Sequence, residues 1–307
     1  MFSLPARVGG PGFTFIRDQR DNPLESTKGQ YFTLDGFAAS SYVGSQANFG
    51  RALAQDSTYY AFGRVNHKFV FARSTTLGLE QVYRGTRVLP PGSCPLNGLQ
   101  TACQQGISII PLPELFFAGG GNSHRGFGLN QAGPRDPDSG FPVGGSALFV
   151  NSEELRFPQI SLPYLGEGFG FAIFHDMGNV FTAGHDLLKG TLRWHQPDPS
   201  QCLQFAAPGG LQFVSQTALN QYNGCVTQFD NSGYDYTSHA VGIGLRYKTP
   251  IGPLRFDFGY NLNPTAYPTG FTLITQVPPQ PPAPAVPAFI PQRMRHFNVF
   301  FSIGQPF

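Results

Sequence analysis

Charge is what this chain has least of. Asp, Glu, Lys and Arg together make up 12% of its 307 residues, about half the ~25% of a soluble globular protein. A water-facing surface of this size needs more, so part of it is expected to face something other than water. Long apolar runs are missing as well. No stretch of roughly eighteen apolar residues occurs, which excludes a transmembrane helix. The other structure that satisfies its backbone in lipid is a closed β-barrel. Basic blocks are absent and the net charge is only +2, so nucleic acid is not an expected partner. There is no G-x-S-x-G elbow, Walker loop or H-E-x-x-H pair, and no enzyme activity, metal or cofactor is expected. His175 and Asp176 are neighbours on a strand, point to opposite faces and cannot chelate one ion. The first residues, MFSLPARVGGPGF, lack the basic and apolar regions of a signal peptide. For a barrel protein, that suggests a chain without its original N-terminus.

Cysteine is scarce: four residues, in two local groups, Cys94 with Cys103 and Cys202 with Cys225. Four cysteines allow three connectivities, and pairing within each group is the simplest. Neither group has the C-x₂-C spacing of a zinc site. Disulfides at both places would put these segments in an oxidising compartment.

Aromatic residues and alternation are abundant. Aromatics are 14% of the chain, with thirty Phe and a single Trp. Period-two alternation yields about nine strand candidates, at 11–20, 31–42, 59–72, 76–84, 146–157, 169–181, 239–248, 254–262 and 297–304. In 254–262, Leu254, Phe256, Phe258, Tyr260 and Leu262 share one face, against Arg255, Asp257, Gly259 and Asn261. In 297–304, Phe297, Val299, Phe301 and Ile303 oppose Asn298, Phe300, Ser302 and Gly304. The aromatic face suits lipid, and the glycine-rich face with isolated charges suits a wet lumen. Connection lengths alternate too. The segments 21–30, 73–75, 158–168 and 249–253 are short, whereas 43–58 is medium and 85–145, 182–238 and 263–296 are long. Outer-membrane barrels have short periplasmic turns and long outer loops. Both cysteine groups fall in long ones. The proline-rich stretch 276–292 reads as a stiff spacer in an exposed loop.

One long connection carries HRGF (124–127), inside a glycine- and proline-rich stretch spanning 119–145. It is followed by GPRD (133–136), PVGG (142–145), EELRFP (153–158), FHDMGNVF (174–181), GIGLRYKTPIGPLRFDFGY (242–260) and the terminal FNVFFSIGQPF (297–307). RDQRDNPLESTKGQY (17–31) precedes them. This ordered series resembles the BamA/TamA family of bacterial surface antigens. The resemblance implies an all-β fold: an antiparallel transmembrane β-barrel, with about nine strands present of sixteen. Residues 1–307 would be the C-terminal part of that barrel domain, without its N-terminal strands and periplasmic repeats. Nine strands also close poorly on themselves, since the first and last would run parallel. The family's long loop folds into the lumen, so Arg125, with Gly126 and Phe127, is expected to meet Glu154 and Asp176. His124 stands where the family usually has valine.

The implied function is assembly and insertion of β-barrel proteins in the bacterial outer membrane, through a weakly closed barrel edge. Phe301, Ile303 and the terminal Phe307 fit the aromatic end by which such barrels are themselves recognised. Implied partners are the outer-membrane lipid bilayer, unfolded outer-membrane proteins, and periplasmic assembly lipoproteins or an inner-membrane partner. The competing reading is a related two-partner secretion pore that exports one partner protein.

Overall fold

The computed structural model of the chain describes residues 7–64, 67–83, 110–135, 140–162, 166–197, 204, 215–249, 252–267 and 292–304. β1 (Gly12–Asp18), β2 (Gly29–Ala39), β3 (Phe49–Arg64), β4 (His67–Val82), β5 (Ala147–Arg156), β6 (Ile160–Leu162), β7 (Gly166–Phe181), β8 (Ser238–Tyr247), β9 (Leu254–Asn261) and β12 (Phe297–Ile303) form one 10-stranded sheet. Its order is β1-β2-β3-β4-β5-β7-β8-β9-β12, with β6 attached to β7. Every pairing is antiparallel. β10 (Ala266–Tyr267) and β11 (Gln292–Arg293) pair separately. Helices α1 (Leu187–Thr191) and α2 (Gln216–Ser232) belong to the connection between β7 and β8. Among the described residues no helix is long and apolar enough to cross a membrane. The sheet is not closed: β1 and β12 are its two edges.

Alternation decides the two faces. Phe71, Leu77, Phe171, Ile173, Ile243 and Phe301 are exposed on one side, while Ala72, Glu154, Asp176, Asp257 and their neighbours are buried on the other. An exposed aromatic-aliphatic face on a sheet this wide is stable only against lipid. The main apolar core lies on the inner side. There Phe116, Ala118, Phe127 and Ala132 of the β4–β5 connection pack on Leu148, Val150 and Val180 of β5 and β7. Burying a Phe side chain completely contributes roughly 1.5–3 kcal/mol, so this cluster helps hold the connection inside the sheet.

Three segments read from the sequence are corrected. The candidate 59–72 is not one strand: β3 ends at Arg64, β4 begins at His67, and these two residues pair in register. The supposed loop 43–58 is mostly β3, and the supposed turn 73–75 is the middle of β4. The cause lies on the outward face. Asp56, Thr58, Arg73 and Thr75 share the parity of exposed Tyr60 and Phe71, so alternation disappears in mid-strand. These polar groups satisfy one another. Gln30 donates to Asp56, and Arg73 donates to Thr75 at 2.8 Å and to Asn151 at 3.2 Å.

Among the described residues no cysteine is free. Cys225, on α2, is disulfide-bonded; Cys94, Cys103 and Cys202 lie outside the described residues.

Candidate functional site: a loop arginine held inside the sheet

The β4–β5 connection turns back into the concave side through a compact hairpin. Ala118 bridges Ala132, and Gly120 donates to the Phe127 carbonyl at 3.0 Å. Gly119 and Gly120 sit at φ 110° and 104°, a left-handed region that L side chains resist. At the tip, the Gly126 amide donates to Nδ1 of His124 at 3.1 Å. That bond fixes Nδ1 as the acceptor, so the proton of the neutral imidazole is on Nε2, 3.1 Å from the Ser238 carbonyl. The ring also meets Phe127 edge-on, with centroids 5.0 Å apart. His124 thus braces the turn that presents Arg125.

Arg125 is 1% exposed, and its two carboxylate partners are 0% exposed. Its Nε and Nη2 grip Asp176 in a two-pronged fork, each at 2.8 Å. Its backbone amide reaches the same carboxylate at 2.8 Å. Nη1 bonds Glu154 at 2.8 Å, and Nη2 also reaches Ser152 at 3.0 Å. The guanidinium lies 3.4 Å from the ring centroid of Phe174, a stacking that favours arginine over lysine.

The acids have further cations. Glu154 accepts from Arg156 at 2.9 Å and Arg246 at 3.0 Å. Asp257 pairs with Arg246, and with Arg255 at 2.6 Å. Four arginines therefore surround three carboxylates on the inner faces of β5, β7, β8 and β9. Isolated charges at this depth would be prohibitive; mutual pairing and hydrogen bonds make the arrangement tenable. Glycine makes the space. A Cβ on Gly259 would fall well inside contact with the Arg125 carbonyl oxygen, and one on Gly126 would meet Ala240 and His124. The Gly126 carbonyl accepts from Asn261 at 3.0 Å and from Asn298, on the last strand, at 2.9 Å.

The structure thus brings together Arg125, Gly126, Phe127, Glu154 and Asp176. His175 and Asp176 do face opposite ways, with His175 lying against His239 on the outer side. Phe301 and Ile303 are exposed on the outward face of β12, and Phe307 lies outside the described residues. The wet lumen expected from the glycine-rich face is corrected at this level: loop and ion pairs fill it. Sequence reasoning did not assign Ser152, Arg156, Arg246, Arg255, Asp257, Asn261 or Asn298 to the site. The inward parity of the last strands was their signal, but parity does not say which inward residue reaches the loop.

An antiparallel membrane sheet whose long loop is pinned inside by an arginine defines an outer-membrane barrel with an occupied interior. The Omp85 superfamily domain matches residues 11–307, and the chain belongs to that superfamily. Its place is the bacterial outer membrane. The chain is 24% identical over 250 residues to outer membrane protein assembly factor BamA of Nitratidesulfovibrio vulgaris, covering 81% of this chain and 22% of that protein. The crystal structure of BamA from Haemophilus ducreyi lacking POTRA domains 1–3 has a similar fold. Its TM-score is 0.54 at 16% identity, over 95% of this chain and 41% of that one. The chain therefore spans less than half the length of either relative.

Proposed function

We propose that this chain is the C-terminal wall of a sixteen-stranded outer-membrane protein assembly factor, in which the pinned loop steadies the last strand. The observation that carries this reading is the double engagement of the loop. Arg125 grips β5 and β7, while Gly126 is bonded by Asn298 of β12. β12 pairs with β9 along one side, and its other side offers backbone donors and acceptors to a further strand. In the whole barrel that edge would meet the first strand weakly and take up a strand of an unfolded client. The named activity of the curated relative supports the reading.

Depleting the whole protein in its host tests this. Folded, heat-modifiable outer-membrane barrels of many kinds should fall together while their unfolded forms accumulate in the periplasm. Loss of a single exported protein, with other barrels unaffected, would replace this reading with the secretion pore. We also propose the disulfides Cys94–Cys103 and Cys202–Cys225. Non-reduced peptide mapping should recover these two pairs, and a link between the two groups would sink the assignment of each pair to its own loop.

A further inference from the structure

Two opposite charges stand side by side at mid-strand on the outward face. Arg73 on β4 and Glu153 on β5 are direct partners in the register. Both point away from the lumen, since Arg73 shares the parity of exposed Phe71 and Leu77. Apolar pairs bracket them along the strands: Phe71 with Leu155 on one side, Leu77 with Phe149 on the other. They therefore lie within the lipid-facing band and not at its rim. A charge there is destabilising, most of all at mid-depth, and charged groups in a membrane normally pair with one another. These two do not. Arg73 is exposed, and its hydrogen bonds go elsewhere, from Nη2 to Thr75 at 2.8 Å and from Nε to Asn151 at 3.2 Å. Glu153 accepts from Asn151 at 3.3 Å. Their hydrogen bonds are made, but neither residue takes part in an ion pair among the described residues. The outward rows of β8, β9 and β12 contain no Asp, Glu, Lys or Arg, so this patch is a local feature of the β4–β5 wall.

We infer that the β4–β5 wall is a contact surface between two copies of the protein in the plane of the membrane, closed by two reciprocal ion pairs, Arg73 of each copy with Glu153 of the partner subunit. Charge complementarity commits the surface to a second copy. Two copies in one membrane share their up-down orientation, so a two-fold axis relating them runs along the membrane normal and makes an isologous contact. An axis passing between Arg73 and Glu153 sets the arginine of one copy against the carboxylate of the other, twice. The apolar residues on either side then pack around the pairs. An acyl chain offers nothing to either charge, and an anionic headgroup meets only the arginine. Away from water each such pair attracts more strongly than at an exposed surface. The contact lies on the outer face, on the opposite side of the sheet from Arg125, and does not depend on what the protein assembles.

The test uses the whole protein in liposomes at a fixed protein-to-lipid ratio, with half the copies carrying a donor fluorophore and half an acceptor. Energy transfer between parent copies should exceed that of an unrelated monomeric barrel at the same density. Arg73→Glu sets glutamate against glutamate across the contact, and Glu153→Arg sets arginine against arginine. Each alone should weaken association about tenfold or more, the range of close charge pairs in a desolvated contact. Mixing donor-labelled Arg73→Glu with acceptor-labelled Glu153→Arg should restore transfer, because the mixed dimer carries two matched pairs. Charges that only stabilise their own wall give no such rescue. Heat-modifiable mobility reports the folding of each variant. If a reversed charge prevents folding, Arg73→Gln and Glu153→Gln remove the charge instead, and each should weaken association too. Parent transfer no higher than that of the unrelated barrel, undiminished transfer in the single variants, or no recovery on mixing would each overturn the proposal. So would a photo-crosslinker at position 155 that captured a different protein and no second copy.

Discussion

Arg125→Ala should free the 119–135 hairpin from the interior and strongly reduce the proposed barrel-assembly activity of the whole protein. The substitution leaves Asp176 and its backbone-facing oxygen without their fork, and removes one of the three arginines on Glu154. Removing one partner of a buried pair typically costs about 3–5 kcal/mol, enough to reverse the docking of a surface loop. Arg125→Lys should recover only part, since a point charge reproduces neither the fork nor the stack on Phe174. Docking can be read separately from activity. A Cβ built on Gly121 lies 3.1 Å from the Phe300 Cβ, so the pair Gly121→Cys and Phe300→Cys should form a disulfide when the loop is seated. Its yield should collapse with Arg125→Ala. An undiminished yield would show that the arginine does not hold the loop.

The second large effect should come from Gly259→Ala, which alters no charge. The added methyl would collide with the carbonyl oxygen of Arg125, a backbone atom that cannot swing aside. Overpacking of this kind costs about 1–3 kcal/mol and more when backbone must move. The same cysteine pair should lose yield although every arginine and carboxylate remains. Gly224→Ala, where a Cβ meets nothing within 4 Å, should leave it unchanged. If Gly259→Ala seats the loop normally, the tight approach of β9 to the hairpin is not what fixes its depth.

Much of the wall was legible because lipid enforces a strict rule: outward positions on β8, β9 and β12 are apolar with few exceptions, so period two survives along their length. On β3 and β4 the outward row contains Asp56, Thr58, Arg73 and Thr75, and there the rule fails and the boundaries were misplaced. The pinned arginine and its partners Glu154 and Asp176 were legible through the resemblance, with the inward parity of both acids in support. The remaining arginines of the cluster were not. Their convergence runs through Arg246 of β8, which bonds Glu154 of β5 and Asp257 of β9 across strands far apart in sequence, and no local pattern encodes that. The inner glycines were misread for the same reason. A missing side chain looks like room for water until the element filling the room is known.

The hairpin's contacts also set an order of events during folding. Its partners lie ever further along the chain: Ser152 is 27 residues from Arg125, Asp176 is 51, Asn261 is 135 from Gly126, and Asn298 is 172. Contacts between distant positions form late, because the loop closing them must first lose its freedom. A nascent chain can therefore satisfy the nearer carboxylates first, but the last bond waits for β12. Seating of the hairpin tip then doubles as a completion signal, formed only when the final strand has taken its place beside β9.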